Sequence, residues 1–222
     1  MASKEYEAIL EALLEAVQAA SQPSAAPQTS PAATGAVPVG ISNRHIHLSQ
    51  ADLDALFGAG YALTPMKDLS QPGQFACKET VTICGPKGAI EKVRVLGPVR
   101  SATQVEIVAG DSFKLGVKAP VRLSGDLAGS PGITIVGPKG SVQLAQGVVV
   151  AQRHIHMNPA DAQALGVHDG QIVKIAVEGA RGGVYNNVAI RVTNTSQLEC
   201  HLDTEEANAM GVTAQTSVTI VQ

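Results

Sequence analysis

Tryptophan is absent from the 222 residues, and aromatic side chains make up only 3% of them. A core without large rings is filled by small aliphatic side chains. The Val-, Gly- and Ala-rich composition therefore suits short strands better than large helices. Cysteine is also scarce. Cys77, Cys84 and Cys200 form an odd set without paired spacing, which argues against a disulfide framework and for a reducing compartment. Charged residues are 16% and the formal net charge is −3, with no basic stripe interleaved with aromatics, so nucleic acid is not an expected partner. No apolar run reaches the roughly 20 residues that span a bilayer. The N-terminal residues lack the basic and long apolar regions of a secretory signal, so neither a membrane nor export is expected.

What the chain does have is 45% hydrophobic residues, enough for the core of one large domain or two small ones. Residues 3–20 read SKEYEAILEALLEAVQAA. Ser3 is a plausible N-cap, and Tyr6, Ile9, Leu10, Leu13, Leu14 and Val17 recur at helical spacing opposite Glu7, Glu11 and Glu15. Residues 21–36 form a Pro/Ala/Ser/Thr linker that cannot bury a core. The helix is thus tethered to the body. It can pack on its own domain or a fellow subunit, but the linker favours docking in the groove of a partner.

From Val37 onwards, short Val/Ile runs alternate with Gly, Pro and Asp turns: Val81–Cys84, Val93–Leu96, Val105–Val108, Ile133–Val136, Gly147–Ala151, Ile172–Val177, Val188–Val192 and Ser217–Val221. Many short strands separated by turns suggest small barrels. Two short helices are expected after the caps Ser49 and Asn158, the second with Pro159 in its first position. They belong to an internal repeat. Asn43–Leu48 is NRHIHL and Gln152–Met157 is QRHIHM, each preceded by an apolar strand and followed by a cap, Ala-Asp and a Leu-containing helix. GPKG also occurs twice, at Gly85–Gly88 and Gly137–Gly140, out of phase with the histidine repeat, and reads as a hairpin turn. The expectation is a mainly β fold. Its parts are an amphipathic helix over 1–20, a linker over 21–36, and two related small β-barrel domains over 37–135 and 136–222.

Side chains two apart on a strand share a face, so His45 and His47 point together, as do His154 and His156. Two imidazoles on one face can grip one metal ion, and two copies in matched contexts strengthen that reading over a structural one. Each pair needs a third ligand, for which Glu106 and His201 are candidates. Spacing alone does not separate these roles from a solvated strand face and a core or capping histidine. Cys200, beside His201, reads as a small buried hydrophobe, and Cys77 and Cys84 lack a base or metal partner. Lys67, Arg94 and Arg100 border apolar runs. Arg100 follows LGPV, where a turn would present its guanidinium for phosphate. Gln74 lies in the loop QPGQF and carries no signal alone.

The segments VGISNRHIHLS, PMKDLSQPGQFACKETV, VRVLGPVRSATQVEI, AQRHIHMNPADA and ECHLDTEEANAMG together resemble the phosphotransacylases of the propanediol-utilisation microcompartment type. The resemblance covers essentially all of residues 37–222, and the helix with its linker resembles the encapsulation peptides of such enzymes. It implies two β-barrel domains and two zinc ions per chain, one held by His45, His47 and Glu106, the other by His154, His156 and His201. It further implies phosphate at Arg100 and Gln74, and coenzyme A near Ser42, Lys67, Arg94, Leu96, His201 and Asn208. The expected activity is acyl transfer between coenzyme A and phosphate inside a bacterial microcompartment. Residues 3–20 would meet shell or cargo proteins, and a homo-oligomer is possible. Two rivals remain: a zinc-dependent thioester hydrolase, for which no H-E-x-x-H or related signature occurs, and a non-catalytic scaffold with structural zinc.

Overall fold

A computed structural model describes residues 35–221. The amphipathic helix and all but the last two residues of the expected linker lie outside this range. In chain order the elements are β1 (Ala36–Ser42), β2 (His45–His47), α1 (Gln50–Phe57), β3 (Pro65–Asp68), β4 (Phe75–Gly85), β5 (Gly88–Gly97), β6 (Gln104–Ile107), α2 (Asp111–Leu115), β7 (Val121–Arg122), β8 (Thr134–Val136), β9 (Ser141–Gln143) and β10 (Val148–Ala151). They continue with β11 (His154–Met157), α3 (Pro159–Leu165), β12 (Ile172–Val177), β13 (Gly183–Val192), β14 (Glu199–Asp203), α4 (Thr204–Met210) and β15 (Ser217–Val221). The mainly β character follows from the aliphatic, aromatic-poor runs, whose branched side chains pack well on a pleated surface.

Six strands close into a barrel in the order β1-β14-β11-β13-β12-β15. The other nine form a sheet ordered β7-β10-β6-β2-β5-β4-β8-β9, with β3 paired to β4. Its outer strands β7 and β9 are two and three residues long, too short to continue a ladder. One closed barrel therefore stands where two were expected, beside an open sheet. Both GPKG segments are hairpin turns, joining β4 to β5 and β8 to β9.

The chain passes from barrel to sheet between Ser42 and His45, and back between Ala151 and His154; the sequence had suggested a boundary at residues 135–136. Each R-H-I-H repeat thus sends its preceding strand into the other repeat's sheet. β1 lies parallel to β14, with Gly40 opposite His201. β10 lies parallel to β6, with Val149 opposite Glu106. Gly40 and Val149 each stand five residues before the first histidine of their repeat, so the exchange is reciprocal and in equivalent register. Val37 and Val39 of β1 enter the barrel core, while Val148 and Val150 of β10 enter the sheet core. Each such burial is worth about 1.5–3 kcal/mol, so the exchange binds the two halves through their cores.

The helices begin where the caps place them. Ser49 Oγ accepts from the Asp52 backbone N–H, and Asn158 Oδ1 from that of Asp161, with Pro159 following. α4, which the sequence reading missed, has a capping box of its own. Asp203 accepts from the Glu206 N–H, and the Glu206 carboxylate reaches back to the Asp203 N–H.

Candidate active site

The first cluster sits on β2 and β6. Ile46 is fully buried, which turns His45 and His47 to the opposite face of β2. Across the antiparallel ladder His45 pairs with Glu106 and His47 with Gln104. The Glu106 carboxylate lies 3.4 Å from His45 Nε2 and 4.0 Å from His47 Nε2. His45 Nδ1–H donates to the Asn43 carbonyl at 2.8 Å, which fixes its tautomer and aims Nε2 inward. Burial alone would lower His45. The Glu106 charge and hydrogen bond, with the Asn43 carbonyl, outweigh it and raise His45 above its ordinary value. Burial, then the charges of His45 and Arg100, push His47 down to about 3. Burial opposes ionisation of Glu106, yet His45, His47 and Arg100 hold it well below the usual carboxylate range.

The second cluster repeats this on β11 and β14. Ile155 is buried, and His154 and His156 share the other face. His154 pairs with His201 and His156 with Glu199, the same register as in the first cluster. His154 Nδ1–H donates to the Gln152 carbonyl at 2.8 Å, again two residues back, and its Nε2 lies 3.1 Å from His156 Nε2. The ring centroids of His156 and His201 are 4.7 Å apart, and those of His154 and His201 are 5.0 Å apart. Burial holds His154 at about 4. Burial, then His154 and His201, holds His156 at about 3. Neutral imidazoles with converging lone pairs are a metal-binding arrangement. In each cluster the three donor atoms lie within 4.8 Å of one another. The donor sets, N₂O and N₃, suit zinc.

Matching ion pairs brace the two copies. Arg44 Nε donates to Asp111 at 2.7 Å and its second nitrogen to the same carboxylate at 3.0 Å. Arg153 Nε donates to Glu206 at 2.6 Å. Each arginine directly precedes the first histidine, and each acid stands five residues after the third donor.

Both clusters line one cavity of about 480 Å³. Its wall also includes Ser42, Gln74, Arg94, Leu96 and Arg100 from the sequence prediction. Lys67, on the exposed strand β3, and Asn208, on an exposed turn of α4, lie outside that wall. The Arg100 backbone N–H donates to the Leu48 carbonyl, directly after the first histidine pair, and its guanidinium donates to Ser124 Oγ at 2.9 Å. Gln104 Nε2 donates both to Ser124 Oγ at 2.8 Å and to Glu106 at 2.5 Å, so the arginine and the carboxylate belong to one network. Among the described residues neither Arg100 nor Arg191 forms an ion pair. Burial lowers Arg100 from its ordinary value; the charge of Glu106 opposes the shift and that of Arg191 adds to it. Two guanidiniums on one cavity without carboxylate partners make a site for an anion.

Sequence reasoning missed Arg191, Ser124, Gln104 and Glu199, which all face this site. Continuing the repeat past the histidines finds three of them. Leu96 and Arg191, Gln104 and Glu199, and Glu106 and His201 all differ by the same 95 positions. Cys200 is fully buried, and burial pushes its thiol up to about 12, as expected of an inert core residue.

Residues 38–213 match the sequence profile of the phosphate propanoyltransferase family. The chain belongs to this family. It is accordingly a phosphate acyltransferase. Among its relatives, the phosphate propanoyltransferase of Thermotoga maritima is 59% identical over 185 residues, covering 83% of this chain and 88% of that one. That of Rhodobacter capsulatus is 59% identical over 176 residues, 79% and 82% of the two chains. That of Salmonella typhimurium is 53% identical over 176 residues, 79% and 83%.

Proposed function

We propose that the chain interconverts a short-chain acyl-CoA and phosphate with an acyl phosphate and coenzyme A, by direct transfer at a two-zinc site. The observation that supports this reading is the single cavity shared by two N/O donor clusters and the unpaired Arg100 and Arg191. His45, His47 and Glu106 would hold one ion, and His154, His156 and His201 the other. Bound zinc would supply Lewis acidity to a carbonyl oxygen or a leaving sulfur.

The protein's own residues supply the rest. Arg100, fixed through Leu48 and Ser124, binds two phosphate oxygens and aims a third at the thioester carbonyl. Gln74 reaches the phosphate from the loop between β3 and β4. Ser42, Lys67, Arg94, Leu96, His201 and Asn208 contact coenzyme A, with Lys67 and Asn208 serving the part that projects beyond the cavity. The phosphate oxygen adds to the carbonyl carbon, the C–S bond breaks, and the thiolate leaves as coenzyme A. No side chain need act as base, because phosphate near neutral pH is already an anion. Holding both reactants in near-attack geometry is worth about 7–11 kcal/mol. The names of the relatives favour propionyl as the acyl group. Residues 1–20 and 21–36 act as an encapsulation helix and linker that carry the enzyme into a bacterial microcompartment. The folded part consists of two repeat-related β domains.

The test is release of coenzyme A thiol from acetyl-CoA and propionyl-CoA, with and without phosphate, before and after chelation. Release that requires both phosphate and metal is expected, with sequential kinetics. Release without phosphate would make this a hydrolase. A folded, metal-loaded protein inert to every acyl chain would favour the scaffold.

A further inference from the structure

The segment QPGQF, silent as sequence, joins the two halves of the fold. β3 pairs with β4 alone and all four of its residues are exposed, so the strand does little to fix the loop that follows it. That loop is a tight turn. The Gln74 N–H donates to the Gln71 carbonyl at 3.2 Å, Pro72 takes the second position, and Gly73 at the third has φ +76°, the marks of a type II turn. The Leu69 N–H donates to the Gln74 carbonyl at 2.9 Å and closes the base of the loop. Gln71 and Gln74 are thus the two ends of one turn, and both line the cavity.

The Gln71 side chain ends on the barrel. Its Nε2 donates to the Gln197 carbonyl at 3.1 Å, and the Gln197 N–H donates to a Gln71 oxygen, Oε1, at 3.3 Å. Gln71 is only 5% exposed, so its amide would be buried and unsatisfied without these partners. Gln197 lies between β13 and β14, four residues before His201. Ser70 Oγ adds a second tie from the same loop, to Glu199 of β14.

We propose that Gln71 is a positioning residue for phosphate: its amide pins the turn to the barrel and so sets where Gln74, at the other end of the turn, meets the phosphate. This rests on the reading above that places Gln74 at the phosphate. Pro72 fixes its own φ and the Gln71–Gln74 hydrogen bond closes the ring, so a shift at one end of the turn is passed to the other. The turn belongs to the sheet by chain and to the barrel by contact. Arg100, by contrast, is anchored within the sheet half through Leu48 and Ser124. The phosphate is then aligned from both halves at once.

The experiment measures thiol release by the full chain, loaded with metal, while phosphate and propionyl-CoA are varied separately. Gln71→Met keeps the length of the side chain and removes both hydrogen bonds. It should raise the phosphate KM about 5–10-fold. The propionyl-CoA KM and kcat should stay within about twofold. In a Gln74→Ala background the same substitution should add almost nothing, because the residue through which it acts is gone. Gln71→Ala, read in the same way, covers the case in which Gln71→Met does not fold. An unchanged phosphate KM overturns the proposal. So does an equal rise in both KM values, which is general loosening, or a rise that persists in full without Gln74. A normal phosphate KM in Gln74→Ala alone would overturn the placement of Gln74 at the phosphate, and the proposal with it.

Discussion

In both R-H-I-H repeats the first histidine donates through Nδ1 to a carbonyl two residues upstream, and the arginine before it reaches a carboxylate five residues beyond the third donor. The frames coincide, yet the electrostatics diverge. In the first copy the third donor is Glu106, and His45 is raised. In the second it is His201, and His154 and His156 are held at about 4 and about 3. One carboxylate among the donors separates a pair with one raised histidine, His45, from a pair in which both are lowered. Backbone register sets where the donors meet, and the identity of the third donor sets how they titrate. The positions opposite the second histidines diverge too, Leu96 in one copy and Arg191 in the other. At that one position the first repeat offers an apolar side chain and the second a cation to the same cavity.

The comparison breaks most sharply at the proposed metal ligands. His45→Ala and His154→Ala should each lower metal content from two ions per chain to one and reduce activity about a thousandfold, read by elemental analysis and thiol release. Loss of both ions from either variant would mean that the centres do not load independently.

The bracing pairs come next. Arg44→Met leaves Asp111, whose side chain is 8% exposed, without its guanidinium, and should cost about 3 kcal/mol in urea unfolding. Arg153→Met should cost less, about 1–2 kcal/mol. Glu206 is more exposed at 19%, and its carboxyl, raised by burial, can take a proton. Equal costs would show that the frame and not local burial sets the energy.

Arg100→Ala should raise the phosphate KM about 10–100-fold, the cost of one charge-assisted contact pair, while urea unfolding is little changed. A normal phosphate KM would remove Arg100 from the anion site.

The last effect concerns acid. In the metal-free protein burial holds His154 at about 4, against an ordinary value of 6.5. Between those values the unfolded chain binds more protons, so stability falls as pH drops. His154 alone accounts for about 2 kcal/mol between pH 7 and pH 5. His45 acts in the opposite sense. Its value is raised, so its contribution is fully present below about pH 6.5 and is lost as pH rises through the raised value. His45→Gln should therefore steepen the acid loss seen in urea unfolding. A flat profile in the parent protein would contradict burial of neutral imidazoles in the second cluster.

Much of the site was legible because strands impose a period of two. That period put His45 with His47 and His154 with His156 on shared faces and turned Ile46 and Ile155 into the core, while cap residue preference marked Ser49 and Asn158. Arg191 and Glu199 went unread, because each is a single polar residue in a strand that reads equally well as solvated surface, and only the repeat continued past the histidines marks them. The boundary suggested at residues 135–136 followed a turn-rich stretch that the sheet does not recognise as an edge between units. Nothing local marks β1 as a barrel strand, since VPVGIS and GVVVA would fit either core.

By itself the sequence determined the repeated histidine pairs, the short strands, the turns and the caps, because these depend on side-chain alternation and local backbone preferences. Only the tertiary structure decided that each repeat gives its first strand to the other, that one sheet closes while the other stays open, and that Glu106 and His201 meet their histidine pairs at equal register. Those outcomes depend on ladder pairing between residues far apart in the chain, where the burial of Val37 and Val39 in one core and Val148 and Val150 in the other selects the partner.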